Sequence, residues 1–109
     1  MISIKIVLLL LLIHWIADFI LQSNWMAQGK SKTWKPLLAH IGVYTLCFVA
    51  FGFEFAIING LLHLCIDYVT SRVSSKLWAK GNMHWFFVVI GFDQLLHMTS
   101  LILTAWWLL

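Results

Sequence analysis

Charge is scarce in this chain. Of 109 residues, seven are lysine or arginine and four are acidic, 10% in all, where soluble domains carry about 25%. So few charges cannot cover a water-facing surface, so lipid is the expected solvent. Cysteine is rare too. Cys47 and Cys65 form no CxxC pair and lie in apolar stretches, which gives neither a disulfide framework nor a thiolate metal motif; both read as small buried hydrophobes. No linker, repeat or low-complexity tract interrupts the chain, and one domain spanning 1–109 is expected. Strict polar/apolar alternation is also missing, which excludes the strands of a membrane barrel. No small-x-small cleavage site follows the apolar run Ile6 to Ile13, so that run is expected to stay as a helix rather than be removed as a signal peptide.

What fills the space is hydrophobic: 62% of the residues, with a mean hydropathy of +0.94. In a bilayer the backbone must satisfy its own hydrogen bonds, which leaves helices. Apolar runs of about 20 residues match the length a spanning helix needs. The expected fold is all-α, a polytopic membrane protein forming a four-transmembrane-helix bundle. Its spans fall at about 2–22, 37–53, 55–73 and 84–108, with a very short link around Glu54.

The few cations orient this bundle. Lys30, Lys32, Lys35, Arg72, Lys76 and Lys80 gather in or beside the two connections at one end, and Lys5 stands alone at the other. Short loops rich in Lys and Arg stay in the cytoplasm, so the termini and Glu54 are expected outside. The net charge of +3 is explained by orientation, and no nucleic-acid partner is expected. Trp25, Trp34, Trp78 and Trp85 flank the basic connections and Trp106 and Trp107 the far end, as interfacial aromatics do. Trp15, in mid-span, is expected to pack.

Three of the four acids nevertheless lie inside spans. Asp18, Asp67 and Asp93 each cost about 2.5–3.5 kcal/mol at mid-span. Each has a histidine four residues away, one helical turn, on the same face: His14, His63 and His97. His40 adds a fourth imidazole. The third pair is written in reverse order, D-x-x-x-H, so an up-down topology turns all three aspartates toward the basic end. Polar stripes through Gln22, Tyr44, Asn59, Thr70, Ser100 and Thr104 extend these faces and should point into the bundle.

Buried His–Asp pairs can serve as glue between helices. Three pairs at one depth fit a metal site better. Imidazole and carboxylate suit zinc, iron or manganese, with His14, Asp18, His40, His63, Asp67, Asp93 and His97 as candidate ligands. These exceed a tetrahedral set, so either two ions bind or some carboxylates orient histidines. His84, beside Trp85 and without an acidic neighbour at helical spacing, reads as interfacial.

The ordered set His14-x-x-x-Asp18-Phe19-x-x-Gln22, Lys30, His40, His63-x-x-x-Asp67 and Asp93-Gln94-x-x-His97 resembles a family of small polytopic membrane proteins of bacteria and phages catalogued as a domain of unknown function. The likeness covers nearly the whole chain. It implies a bacterial inner membrane as location and stresses these positions without assigning them a role. A looser similarity, in residue types alone, links the intramembrane His and Asp to membrane-bound metal-dependent hydrolases.

The leading functional expectation is a metal-dependent hydrolase of a lipid or membrane-embedded substrate, its metal supplying an activated water. Asp18, Asp67 and Asp93 would then be ligands or a general base. Gln22, Lys30, Arg72 and Gln94 are the candidates for holding substrate near the cytoplasmic mouth, where Lys30 and Arg72 could bind a phosphate headgroup; both cations also have the plainer role of setting topology. No serine or cysteine nucleophile motif is present. A metal-ion or proton conduit is the second reading, although the outer halves of the spans are mostly apolar. A non-catalytic phage or bacterial membrane factor is the third. Membrane lipid is the expected partner; dimers are compatible with the sequence, but no GxxxG motif marks a contact face.

Overall fold

The computed structural model describes residues 2–109. All its regular elements are helical: α1 (Ile4–Trp15), α2 (Asn24–Gly29), α3 (Trp34–Cys47), α4 (Phe53–Ala79) and α5 (Met83–Leu108), with no strand among the described residues. Small polar side chains start three of them. Ser3 accepts the amide N–H of Ile6, Ser23 that of Met26 and Asn82 that of Trp85, each satisfying a donor that the first helical turn leaves free. Pro36 sits in the first turn of α3, where its missing N–H costs nothing.

Several boundaries differ from the sequence expectation. The second apolar run is not one continuous helix over 37–53. It forms α3, about 21 Å long at 1.5 Å per residue, and then a 3-10 turn over Val49–Phe51. The chain reverses at Gly52, whose φ of +111° lies where a Cβ is strained; Glu54 belongs to the first turn of α4. The third run continues beyond Val73 to Ala79, so only Lys80–Asn82 remain of the second basic connection. The polar, basic character of Ser74–Ala79 hid a helix from the hydropathy reading, because helical backbone persists wherever its hydrogen bonds do. The first connection likewise contains α2. Two helices, α4 and α5, are long and apolar enough to cross a membrane.

The first run keeps its helical path but changes pitch. After Trp15 the chain passes into a π-helical turn, Ile16–Ile20, of the kind that tends to occur at functional sites. It carries Asp18. Trp15, expected to pack, instead faces outward.

α4 and α5 lie antiparallel: Asn59 donates to Thr104 Oγ1 at 2.8 Å, and Thr70 donates to Asp93 further along. α3 approaches α4 so closely that a Cβ on Gly60 would collide with Thr45 Oγ1. The bundle is polar inside and apolar outside. Eight of its ten buried hydrophobics form one cluster, Leu10, Ala17, Tyr44, Phe48, Phe55, Ala56, Leu101 and Ala105. The buried polar set is His14, Asp18, His40, Asn59, His63, Asp67, Ser71, Ser74, Asp93 and His97. Leu8, Leu12, Leu46, Leu61, Phe87, Phe92 and Leu103 point outward, with all of the tryptophans that flank the two ends.

Candidate metal centre

Burying carboxylates among hydrocarbon is costly unless each is paired. The helices solve this by converging. Asp18 comes from the π turn, His40 from α3, and His63 and Asp67 from α4. Their donor atoms meet at one point. His40 Nε2 lies 2.9 Å from Asp18 Oδ1, 3.4 Å from Asp67 Oδ2 and 3.1 Å from His63 Nε2. His63 Nε2 lies 3.3 Å from each of the same two oxygens. A tetrahedral ion with bonds of 2.0–2.1 Å has edges of about 3.3 Å between its ligands. Five edges here fall between 2.9 and 3.4 Å, so these four buried residues could hold a metal ion. Asp18, Asp93 and His97 form a second group with the same capacity.

The remaining expected residues take distinct places. His97 Nε2 reaches Asp67 Oδ1 at 3.1 Å and Asp93 Oδ1 at 3.2 Å, and its ring stacks on His63 with centroids 3.8 Å apart. His14 belongs to neither donor group. Its Nε2–H donates to Gln94 Oε1 at 2.7 Å, and its Nδ1 accepts from the Tyr44 hydroxyl at 2.9 Å. With both ring nitrogens engaged, no lone pair is left for a metal. Gln94 in turn donates to Asp18 Oδ2 and Asp93 Oδ2, both at 3.0 Å. The chain Tyr44–His14–Gln94 therefore aims two carboxylates from behind. Asp93 also accepts from Thr70.

Within each i,i+4 pair the sequence joined, the two groups lie 3.7 Å apart for His14 and Asp18, 3.3 Å for His63 and Asp67 and 3.2 Å for Asp93 and His97. Every aspartate has at least one partner on another helix that is closer. Shared helical faces identified the residues; convergence of the helices chose their partners. The rings of His40 and His63 have their Nδ1 atoms buried without a hydrogen-bond partner. Packing orients them instead: Tyr44 and His97 flank His63, with ring centroids at 3.9 and 3.8 Å.

Lys30 reaches in from the connection after α2 and places Nζ 3.0 Å from Asp67 Oδ2. Gln22 lines the cavity beside the donors. Arg72 does not join them. Its guanidinium lies over the Tyr68 ring, 3.8 Å from the centroid, and donates to the Tyr68 carbonyl on the outside of α4. His84 is paired edge-on with Trp85 near the start of α5, away from the centre.

A cavity of about 650 Å³ opens at the basic end, floored by Asp18, Asp93 and Gln94. A smaller one of about 40 Å³, bounded by Lys30, Asp67, Thr70, Ser71, Ser74 and Asp93, has room for a single water-sized molecule. Reading along the chain would not have found Tyr44's hydrogen bond to His14 or the wall formed by Ser71 and Ser74. Their only sequence signal was a place on the polar face of each helix.

Residues 6–109 match the model of a family described as "Protein of unknown function (DUF3307)". No curated protein and no solved structure matches the chain.

Proposed function

We propose that this chain, which belongs to the DUF3307 family, is a multi-pass membrane protein that holds a divalent metal at Asp18, His40, His63 and Asp67 and uses it to hydrolyse a lipid or another membrane-embedded substrate. One observation carries the reading: four buried donors from three separate segments converge, and five of their six mutual distances lie between 2.9 and 3.4 Å, near the edges of a tetrahedral coordination shell.

Charge supports it. Asp18, Asp67 and Asp93 bring three carboxylates to the interior, and among the described residues Lys30 is the one lysine or arginine paired with them. A divalent cation at the four donors would offset two of these three carboxylate charges. Zinc fits the donor chemistry and the tetrahedral edges; manganese and iron take the same donors. A single ion is favoured, because Asp93 already accepts from Thr70 and Gln94, which gives the second group an orienting role.

Four protein donors close a tetrahedral shell, so the bound metal would supply an activated water once one of the two carboxylates gives up its place. The chain's own residues would do the rest. Asp93, next to the small cavity, would take a proton from that water. Gln94 and His14 hold it in position. Toward the far end the interior is closed by Leu10, Phe48, Phe55, Leu101 and Ala105, and this apolar layer favours a site open on one side over a through-path for ions. In the bilayer, α1 with its π turn and α3 with its 3-10 turn would complete four spans with α4 and α5. The basic connections would be cytoplasmic, and the membrane the bacterial inner membrane.

Elemental mass spectrometry of the protein purified in dodecyl maltoside tests the core of this reading. One equivalent of metal is expected in the wild type and less than about a tenth of that in His63→Ala, with helicity by circular dichroism retained. Lipid turnover in liposomes should stop when a chelator removes the ion. Wild-type protein that stays metal-free after exposure to zinc, manganese and iron(II) refutes the proposal.

A further inference from the structure

The larger cavity is built for more than access. Its floor is the back of the donor group, Asp18 and Asp93. Lys30 and Lys32 stand on one wall, and Ser71 and Ser74 on another. Ser71 is 8% exposed, and its hydroxyl has no hydrogen-bond partner; neither does the buried carboxamide oxygen of Gln22. A buried polar group left unpaired is costly, so a hydroxyl and a carboxamide both facing one cavity point to a ligand that satisfies them. Phe19, Trp78, Phe86 and Ile90 make the remaining side apolar. Its volume of about 650 Å³ is that of a small-molecule site.

We propose that this cavity binds a phosphate ester, its anionic oxygens held by Lys30, Lys32 and the Ser71 hydroxyl and its organic part lying on the apolar wall. The inference rests on the metal centre in one respect. Lys30 is drawn 3.0 Å from Asp67 Oδ2, an oxygen that the metal also needs. An ion at the four donors releases that ammonium toward the cavity and offsets the carboxylates of Asp18 and Asp93, which otherwise repel an anion. Metal and phosphate ester therefore bind with positive coupling, and the coupling is reciprocal. Gln22 contributes once its amide is turned to present the N–H2, an orientation that hydrogen bonding decides.

The ligand chemistry has two sources, a lipid headgroup or a soluble phosphate, and the apolar wall gives the amphiphile the advantage. Isothermal titration in dodecyl maltoside, which carries no phosphate, separates them. The probes are dodecyl phosphate, inorganic phosphate and dodecanol, each added to zinc-loaded and zinc-free protein. Saturable binding of dodecyl phosphate is expected. It should be at least tenfold weaker without zinc and about tenfold weaker in Lys32→Met and in Ser71→Ala, two variants that leave the four donors intact and should keep one equivalent of zinc. Inorganic phosphate binding as tightly as dodecyl phosphate supports a soluble phosphate ligand in the same site. Dodecyl phosphate that fails to saturate, or that binds both variants as it binds the wild type, overturns the inference while leaving a measured zinc stoichiometry standing. Loss of zinc with phosphate binding retained overturns the metal centre and the coupling but not the anion site.

Discussion

Substituting Gly60 by alanine should damage a metal centre that this residue never touches. Gly60 lies one turn before His63 on the face of α4 that meets α3. A Cβ there would collide with Thr45 Oγ1, while the Thr45 Cβ lies 3.3 Å from it. The hydroxyl cannot simply turn aside, since it donates to the Ile41 carbonyl at 2.8 Å. To regain ordinary carbon–oxygen contact the two helices must part by about 1 Å. That motion carries His63 away from His40, whose Nε2 atoms are 3.1 Å apart. Coordination tolerates about 0.2 Å. The expected outcome is a metal affinity at least tenfold weaker, with about 1–3 kcal/mol of lost stability in the metal-free protein from overpacking. Zinc competition against a chromophoric chelator reads the first, and thermal unfolding in dodecyl maltoside the second. Thr45→Ala removes the obstructing oxygen, so the double variant should recover most of both losses. Gly60→Ala with wild-type zinc affinity and midpoint, or a double variant no better than the single, refutes the close-approach argument.

Other perturbations separate donors from supports. His14→Ala removes the link between Tyr44 and Gln94 but no donor; it should weaken metal binding by about 10–100-fold and leave one equivalent bound at saturating zinc. Lys30→Met should act in opposite directions on the two forms. The metal-free protein loses the ion pair to Asp67 and unfolds more readily, while zinc binds at least about tenfold more tightly because a competing ammonium is gone; an affinity unchanged or lowered in the chelator titration refutes the competition. Gly52→Ala places a Cβ at φ +111° and should cost about 1–3 kcal/mol by thermal unfolding, with no change in metal stoichiometry.

Much of the centre was legible before any coordinates. An aspartate inside an apolar run is costly in any fold, so Asp18, Asp67 and Asp93 announced a shared interior. Helical spacing attached His14, His63 and His97 to them, and reversal of the last pair placed all six at one depth. Those inferences need only helix geometry and the price of burying charge, which are local. Helix lengths were less legible. Hydropathy measures the side chains, so it ended the third span at Val73, while the backbone continues helical to Ala79.

The amino-acid order thus determined that this chain is helical, that each long helix has one polar face and which titratable groups lie on it. Tertiary structure decided which of those groups become donors. His14 and His40 look alike in sequence; one is consumed by Tyr44 and Gln94 while the other meets Asp18. A π turn at Ile16–Ile20 and the absence of a side chain at Gly60 set those meetings. The reason is physical. Helical periodicity fixes direction about one axis, whereas a coordination shell needs several axes positioned to a fraction of an ångström, and only the packing of one helix on another supplies that.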